Sequence, residues 1–179
     1  MRPMTSSETT VTTVRTEPST TAAEREMLEG WLDYHRATLA LKCEGLTEEQ
    51  LRQASLPPSE LTLLGLVRHL AEVERWWFRE ITHGAELPDL YCTEADRDGD
   101  FHFGEADTFA EARETWEREI ELARQAAAGR SLDEVSVRSS RTGEHFSLRW
   151  VYTHMIEEYA RHNGHADLLR EQLDGATGE

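Results

Sequence analysis

No stretch of the chain approaches the roughly 18 consecutive apolar residues of a membrane helix, so no membrane span is expected. Residues Met1 to Ser19 contain no apolar core of the signal-peptide kind. Nothing therefore points to export, and a cytoplasmic location is expected. Cysteine is scarce. Cys43 and Cys92 lie far apart and fit neither a zinc-ribbon nor a CxxC spacing, which leaves two reduced thiols. Basic residues are few: 19 Lys and Arg stand against 35 Asp and Glu, a net charge of −16. Without a basic patch to release counterions, a nucleic-acid partner is excluded. The acidic surplus reads as a solvated surface that aids solubility and attracts cations. Internal repeats are absent, and the only compositional bias is a Thr- and Ser-rich leader over residues 1–20.

What remains fits one soluble domain, residues 21–179, with 38 % apolar and 30 % charged residues. Four long segments carry helical periodicity. The first spans about Thr21 to Glu44, with Leu28, Trp31, Leu32 and Leu39, and Gly45 ends it. A short turn follows from Thr47, a cap, to Gln53, and Pro57-Pro58 breaks the chain. The second spans about Ser59 to Thr82. Its Leu63, Leu66, Val67, Leu70, Val73 and Trp77 form one apolar stripe. Residues 86–106 read as a long irregular connection, and loops of that length are often functional. The third helix spans about Asp107 to Ala128, with Phe109, Ala112, Trp116, Ile120 and Ala123 on one face. Residues 132–146 are extended or a loose hairpin. The fourth helix spans about Ser147 to Leu173, and Gly175 marks its end. The expected fold is all-α, a four-helix bundle with long crossover loops, an architecture that builds metal sites from facing helices.

The informative run is THMIEEYARHNGHADLLRE, residues 153–171. His154, Glu158 and His162 follow one another at four-residue steps, and His165 lies three beyond. Residues four apart share one side of a helix, so two such side chains can bind one ion. The apolar stripe of this helix contains Leu148, Val151, Met155, Tyr159, Ala166, Leu169 and Leu173. His162 falls inside it, and Glu158 sits at its edge, roughly 40° away at 100° per residue. His165 and His154 lie progressively further round. A carboxylate and an imidazole facing the interior need a partner, because burying an unpaired charge is costly. His69, in LVRHLAEVERWWF beside Leu66 and Leu70, can supply it from a helix packed 8–10 Å away. Taken singly, each of these residues is also explained as a hydrogen-bonded neighbour of the core. Three nitrogen and oxygen ligands with one open position make a catalytic zinc-type centre, and nickel, iron or manganese suit the same donors. His35, His83, His102 and His145 have no partner spacing, and Trp76 and Trp77 read as core or pocket wall.

The runs HMIEEYARHNGHADLLRE and LVRHLAEVERWWF, with the trailing LDGATGE, resemble the DinB/YfiT-like superfamily. Within it the similarity is greatest to an actinobacterial branch called mini-circle proteins, and it covers about residues 21–179. The resemblance implies a DinB-like four-helix bundle with one divalent metal. Many members use three His ligands, one from the second helix and two from the last. Here Glu158 stands where the first of that pair would be, which is similar to the mycothiol-dependent maleylpyruvate isomerases. The implied ligands are His69, Glu158 and His162. His165 takes the place where many members have Gln, so a ligand role there is not implied.

The resemblance also implies a low-molecular-weight thiol as co-substrate, whose sulfur the metal would activate against a small electrophile. Arg68, Arg161 or Arg170 could position a carboxylated thiol. Two other functions stand beside a thiol-dependent transferase or isomerase. One is a metal-dependent hydrolase with Glu157 or His154 as base. The other is a non-enzymatic metal-binding stress protein, with the bundle as a homodimer module.

Overall fold

The computed structural model describes residues 13–178. Among them the chain is all-helical: α1 (Glu24–Cys43), α2 (Glu48–Leu51), α3 (Leu63–Glu74) with a π-helical extension (Arg75–Thr82), α4 (Phe109–Ala127) and α5 (Leu148–Asp174). No strand occurs among the described residues, only an isolated bridge between Val135 and Ser147. The segment 132–146 is thus an irregular loop, tied by Ser136 N donating to Phe146 O at 2.8 Å. Of the expected leader, residues 1–12 lie outside the described ones. Residues just after them run along α1: Thr13 N donates to Glu44 at 2.9 Å, and Arg15 stands over the Tyr34 ring.

Hydroxyl side chains set four of the helix starts. Thr47 and Thr108 each close a reciprocal capping box, with Gln50 and Glu111 respectively. Ser147 accepts from Trp150 N and Thr62 from Gly65 N. The Thr62 cap corrects the expected start of the second helix. Ser59 is instead held in a turn by its N–H to Leu56 O, and the helix begins at Leu63. Gly175, at φ 78°, ends α5 in the left-handed region that favours glycine.

Helices α1 and α5 pack along each other, as do α3 and α4, and α3 also meets α5. The expected stripes of α4 and α5 are buried except for Phe109 and Leu173, which are half-buried. The stripe of the second helix departs from expectation at its end. The wider π-helical turn hands burial to Phe78 and Ile81, while Trp76 and Trp77 stay half-exposed.

A polar network runs through the centre. Glu74 is 0 % exposed and accepts from Arg36 Nε at 2.8 Å and Nη2 at 2.7 Å. Tyr159 Oη donates to Glu74 at 2.8 Å, and Trp116 Nε1 donates to Tyr159 Oη at 2.7 Å. One residue from each long helix therefore takes part. Burial opposes the Arg36 charge, yet the Glu74 carboxylate holds its pKa above the ordinary range. Glu119 of α4 is likewise buried, and Arg75 and Arg79 grip its two oxygens at 2.7 and 2.6 Å.

Candidate metal centre

His69 lies on α3 one residue before Leu70, so its ring emerges beside the core toward α5. His162 lies within the buried stripe of α5 at 9 % exposure, and Glu158 sits one turn earlier. The structure brings these three together: one ligand atom from each lies within 4.8 Å of the others. His162 Nε2 is 3.3 Å from Glu158 Oε2, and the rings of His69 and His162 meet edge-on with centroids 4.7 Å apart. A hydrogen bond from His162 foremost, against the opposing effect of burial, holds the Glu158 carboxyl below the usual carboxylate range.

A fourth residue, Asp100, belongs to the site and was not singled out by sequence reasoning. Its carboxylate is 4 % exposed and lies 2.7 Å from His69 Nδ1. A carboxylate against one ring nitrogen is the partner common to metal-bound imidazoles, whose other nitrogen is the ligand. Burial acts most strongly and would raise the Asp100 carboxyl, but His69, the Cys92 thiol and a backbone N–H together outweigh it and the pKa is lowered. Gly99 makes this placement possible. A Cβ there would stand 2.3 Å from Tyr91 O, so only glycine lets the loop close this tightly. Arg68 straps the same loop, with Nε to Asp100 O and Nη2 to Gly99 O, both at 2.9 Å. Glu72 accepts from the N–H groups of Tyr91 and Cys92 at 2.6 and 2.7 Å.

Two of the three arginines considered for thiol recognition are thus committed elsewhere. Arg68 is buried in the loop strap, and Arg170 donates to Lys42 O and Glu44 O at 3.0 and 2.8 Å. Arg161 is exposed beside the site and pairs with Glu157. Glu157 is exposed and its carboxylate is taken up by Arg161. His165 Nδ1 lies 3.3 Å from His162 Nδ1, and burial foremost lowers its pKa. His154 stacks on Trp150 and reaches toward the other Glu158 oxygen. His35, His83, His102 and His145 contact Asn163, Arg130, Asp96 and Ser136 instead, and among the described residues none joins a convergent group.

A cleft of about 490 Å³ opens beside His69, between α3 with its π-helical extension and the 86–106 loop. Trp76, Trp77, Leu90 and Phe101 supply apolar walls, and Glu80 and Cys92 also face it. Burial, together with the Asp100 and Glu72 carboxylates, pushes the Cys92 thiol up to about 12. Burial does the same to Cys43, also to about 12. Both thiols are therefore protonated at neutral pH and neither is a nucleophile. In the folded protein, iodoacetamide at pH 8 is expected to label neither appreciably, while both label in urea. Mass spectrometry checks this, and rapid labelling of Cys92 in the folded state would contradict it.

The donor set fits a divalent ion: two imidazoles and a carboxylate converge, and a buried acid orients one imidazole. Compared with known families, the chain matches the model described as mycothiol-S-transferase over residues 27–175. Among curated proteins no match is found.

Proposed function

Because the chain belongs to the mycothiol-S-transferase family, within the DinB/YfiT-like superfamily, we propose that it joins a mycothiol-type thiol to a small electrophile. The reading places the reaction at a divalent ion held by His69, Glu158 and His162. The observation that carries it is the convergence of those three donors, with the Asp100 carboxylate 2.7 Å from His69 Nδ1. When bound, the ion supplies Lewis acidity that lowers the pKa of a coordinating thiol. In the transfer the thiol S–H bond breaks and its proton leaves to solvent. The sulfur lone pair forms a C–S bond, and the leaving group departs with its bonding pair.

The chain's own residues bind, orient and exclude water. His69 and His162 offer ring nitrogens and Glu158 a carboxylate oxygen. Phe101, stacked on His69 with centroids 5.1 Å apart, shields one face of that ring. Trp76 and Trp77 give the electrophile an apolar wall beside the ion. In the same reading residues 21–179 form a DinB-like four-helix bundle behind the leader, and zinc is the resident ion, with nickel, iron and manganese compatible with the donors.

Calorimetry tests the proposal. Zinc-loaded protein is expected to bind a mycothiol-type thiol, and chelation of the zinc to remove that binding. Ester or amide turnover without any thiol would instead support a hydrolase, and zinc uptake with neither activity a non-enzymatic protein. Asp100→Asn is expected to weaken zinc binding about 10–100-fold with the helical content unchanged. A competitive chelator titration measures it; wild-type affinity in that variant would remove Asp100 from the site.

A further inference from the structure

We infer that His154 is a positioning residue for this centre: clamped by Trp77 and Trp150, its imidazole holds the second oxygen of Glu158 and keeps that ligand monodentate. The inference rests on the reading of His69, Glu158 and His162 as ligands. It starts from the carboxylate itself. Glu158 turns its two oxygens toward two different rings, with Oε2 3.3 Å from His162 Nε2 and Oε1 3.6 Å from His154 Nε2. The four-residue steps of α5 place an imidazole one turn before and one turn after the acid.

The His154 ring has little freedom. It stacks on Trp150 at 4.8 Å with planes 19° apart, and meets Trp77 edge-on at 4.7 Å. The two tryptophans also touch, with centroids 5.1 Å apart. Aromatic packing of this kind fixes ring orientation and so aims Nε2 at Oε1. The 3.6 Å separation exceeds a hydrogen bond. Such contacts are often long in an unfilled site and commonly tighten when it is filled.

The chemical consequence concerns the open position. A carboxylate with both oxygens free can take up two coordination positions. One whose Oε1 accepts a hydrogen bond would offer Oε2 alone to an ion and leave room for a sulfur ligand. Ligating carboxylates are commonly hydrogen-bonded in this way. Trp77 also lines the cleft beside His69, so the clamp connects the electrophile's wall to the ligand's geometry.

A second ion among His154, Glu157 and Glu158 is the competing use of the same atoms, which also lie within 4.8 Å of one another. Arg161 disfavours it. The guanidinium is paired with Glu157 and lies 3.9 Å from Glu158 Oε1, so a second dication would face both it and the first ion.

The test titrates Co²⁺ into the full chain and its His154→Phe, His154→Gln and His162→Ala variants, recording visible absorption and stoichiometry. One equivalent is expected in wild type and in both His154 variants. His154→Phe keeps an aromatic ring in the clamp but removes the donor. Its Co²⁺ affinity is expected to fall about 10–100-fold. Its visible bands are expected to weaken, as a second Glu158 oxygen raises the coordination number above four. His154→Gln restores a donor and is expected to recover part of the wild-type spectrum. Wild-type affinity and spectrum in the Phe variant would overturn the inference. So would two equivalents in wild type that fall to one in that variant, which is the second-ion result. Failure of the underlying ligand assignment is separate: His162→Ala would then bind Co²⁺ like wild type.

Discussion

His162→Ala is expected to abolish tight zinc binding and the thiol binding that depends on it. His162 has the strongest geometric claim among the three proposed ligands. It is the most buried, and it stands between the Glu158 and His69 side chains. Its loss leaves one imidazole and one carboxylate on different helices, too few to hold an ion against water. The thermal signature should be large. Free zinc at 1,000 times its Kd stabilises a folded protein by about 4 kcal/mol. For a domain of this size that is about 8–16 °C in Tm. Wild type should show this rise on adding zinc, and the variant almost none. Glu158→Gln keeps the side-chain shape and serves as a second probe. Melting followed by circular dichroism, with and without zinc, measures both. An equal zinc-dependent rise in all three proteins would contradict the assignment.

Glu74→Ala is expected to destabilise the fold by about 3–5 kcal/mol, because it strands the Arg36 guanidinium in the core. The cost has named sources. Arg36 loses two charge-assisted hydrogen bonds, and Tyr159 Oη loses its acceptor. Asp33 still pairs with Arg36 at 2.8 Å, but from an exposed position. Removing both charges should be far milder. In an Arg36→Met/Glu74→Leu double variant, apolar side chains of similar volume replace the pair, which is often nearly neutral. Urea denaturation gives the difference. A loss below about 1 kcal/mol for Glu74→Ala would place the pair among weak surface bridges.

Particular residues show how far the sequence carried the account. The convergence of His69, Glu158 and His162 was legible because residues four apart share one side of a helix, and because each lay in or beside an apolar stripe. The four long helices were legible for the same periodic reason, to within a few residues at their ends. Asp100 was not. It follows Asp96 and Asp98 at equal steps in an irregular loop, and nothing local distinguishes it. What selects it is the tight approach of Gly99 to Tyr91 and the Arg68 strap, both long-range facts. The π-helical turn was also silent, since Arg75–Thr82 carries no composition that favours it over an α-helix. The central ion pair left a signal that charge obscured. Glu74 falls four residues after Leu70 and Arg36 four after Leu32, both on stripe positions. A charged residue on a buried stripe is itself a sign of a paired partner across the core.

The ligand assignment is tested most directly by anomalous diffraction from zinc-loaded crystals, recorded on both sides of the zinc absorption edge. A single strong peak within bonding distance of His69, Glu158 and His162, with Asp100 behind His69, is the expected result. A peak elsewhere, or none at that convergence despite bound zinc in the crystal, would contradict it.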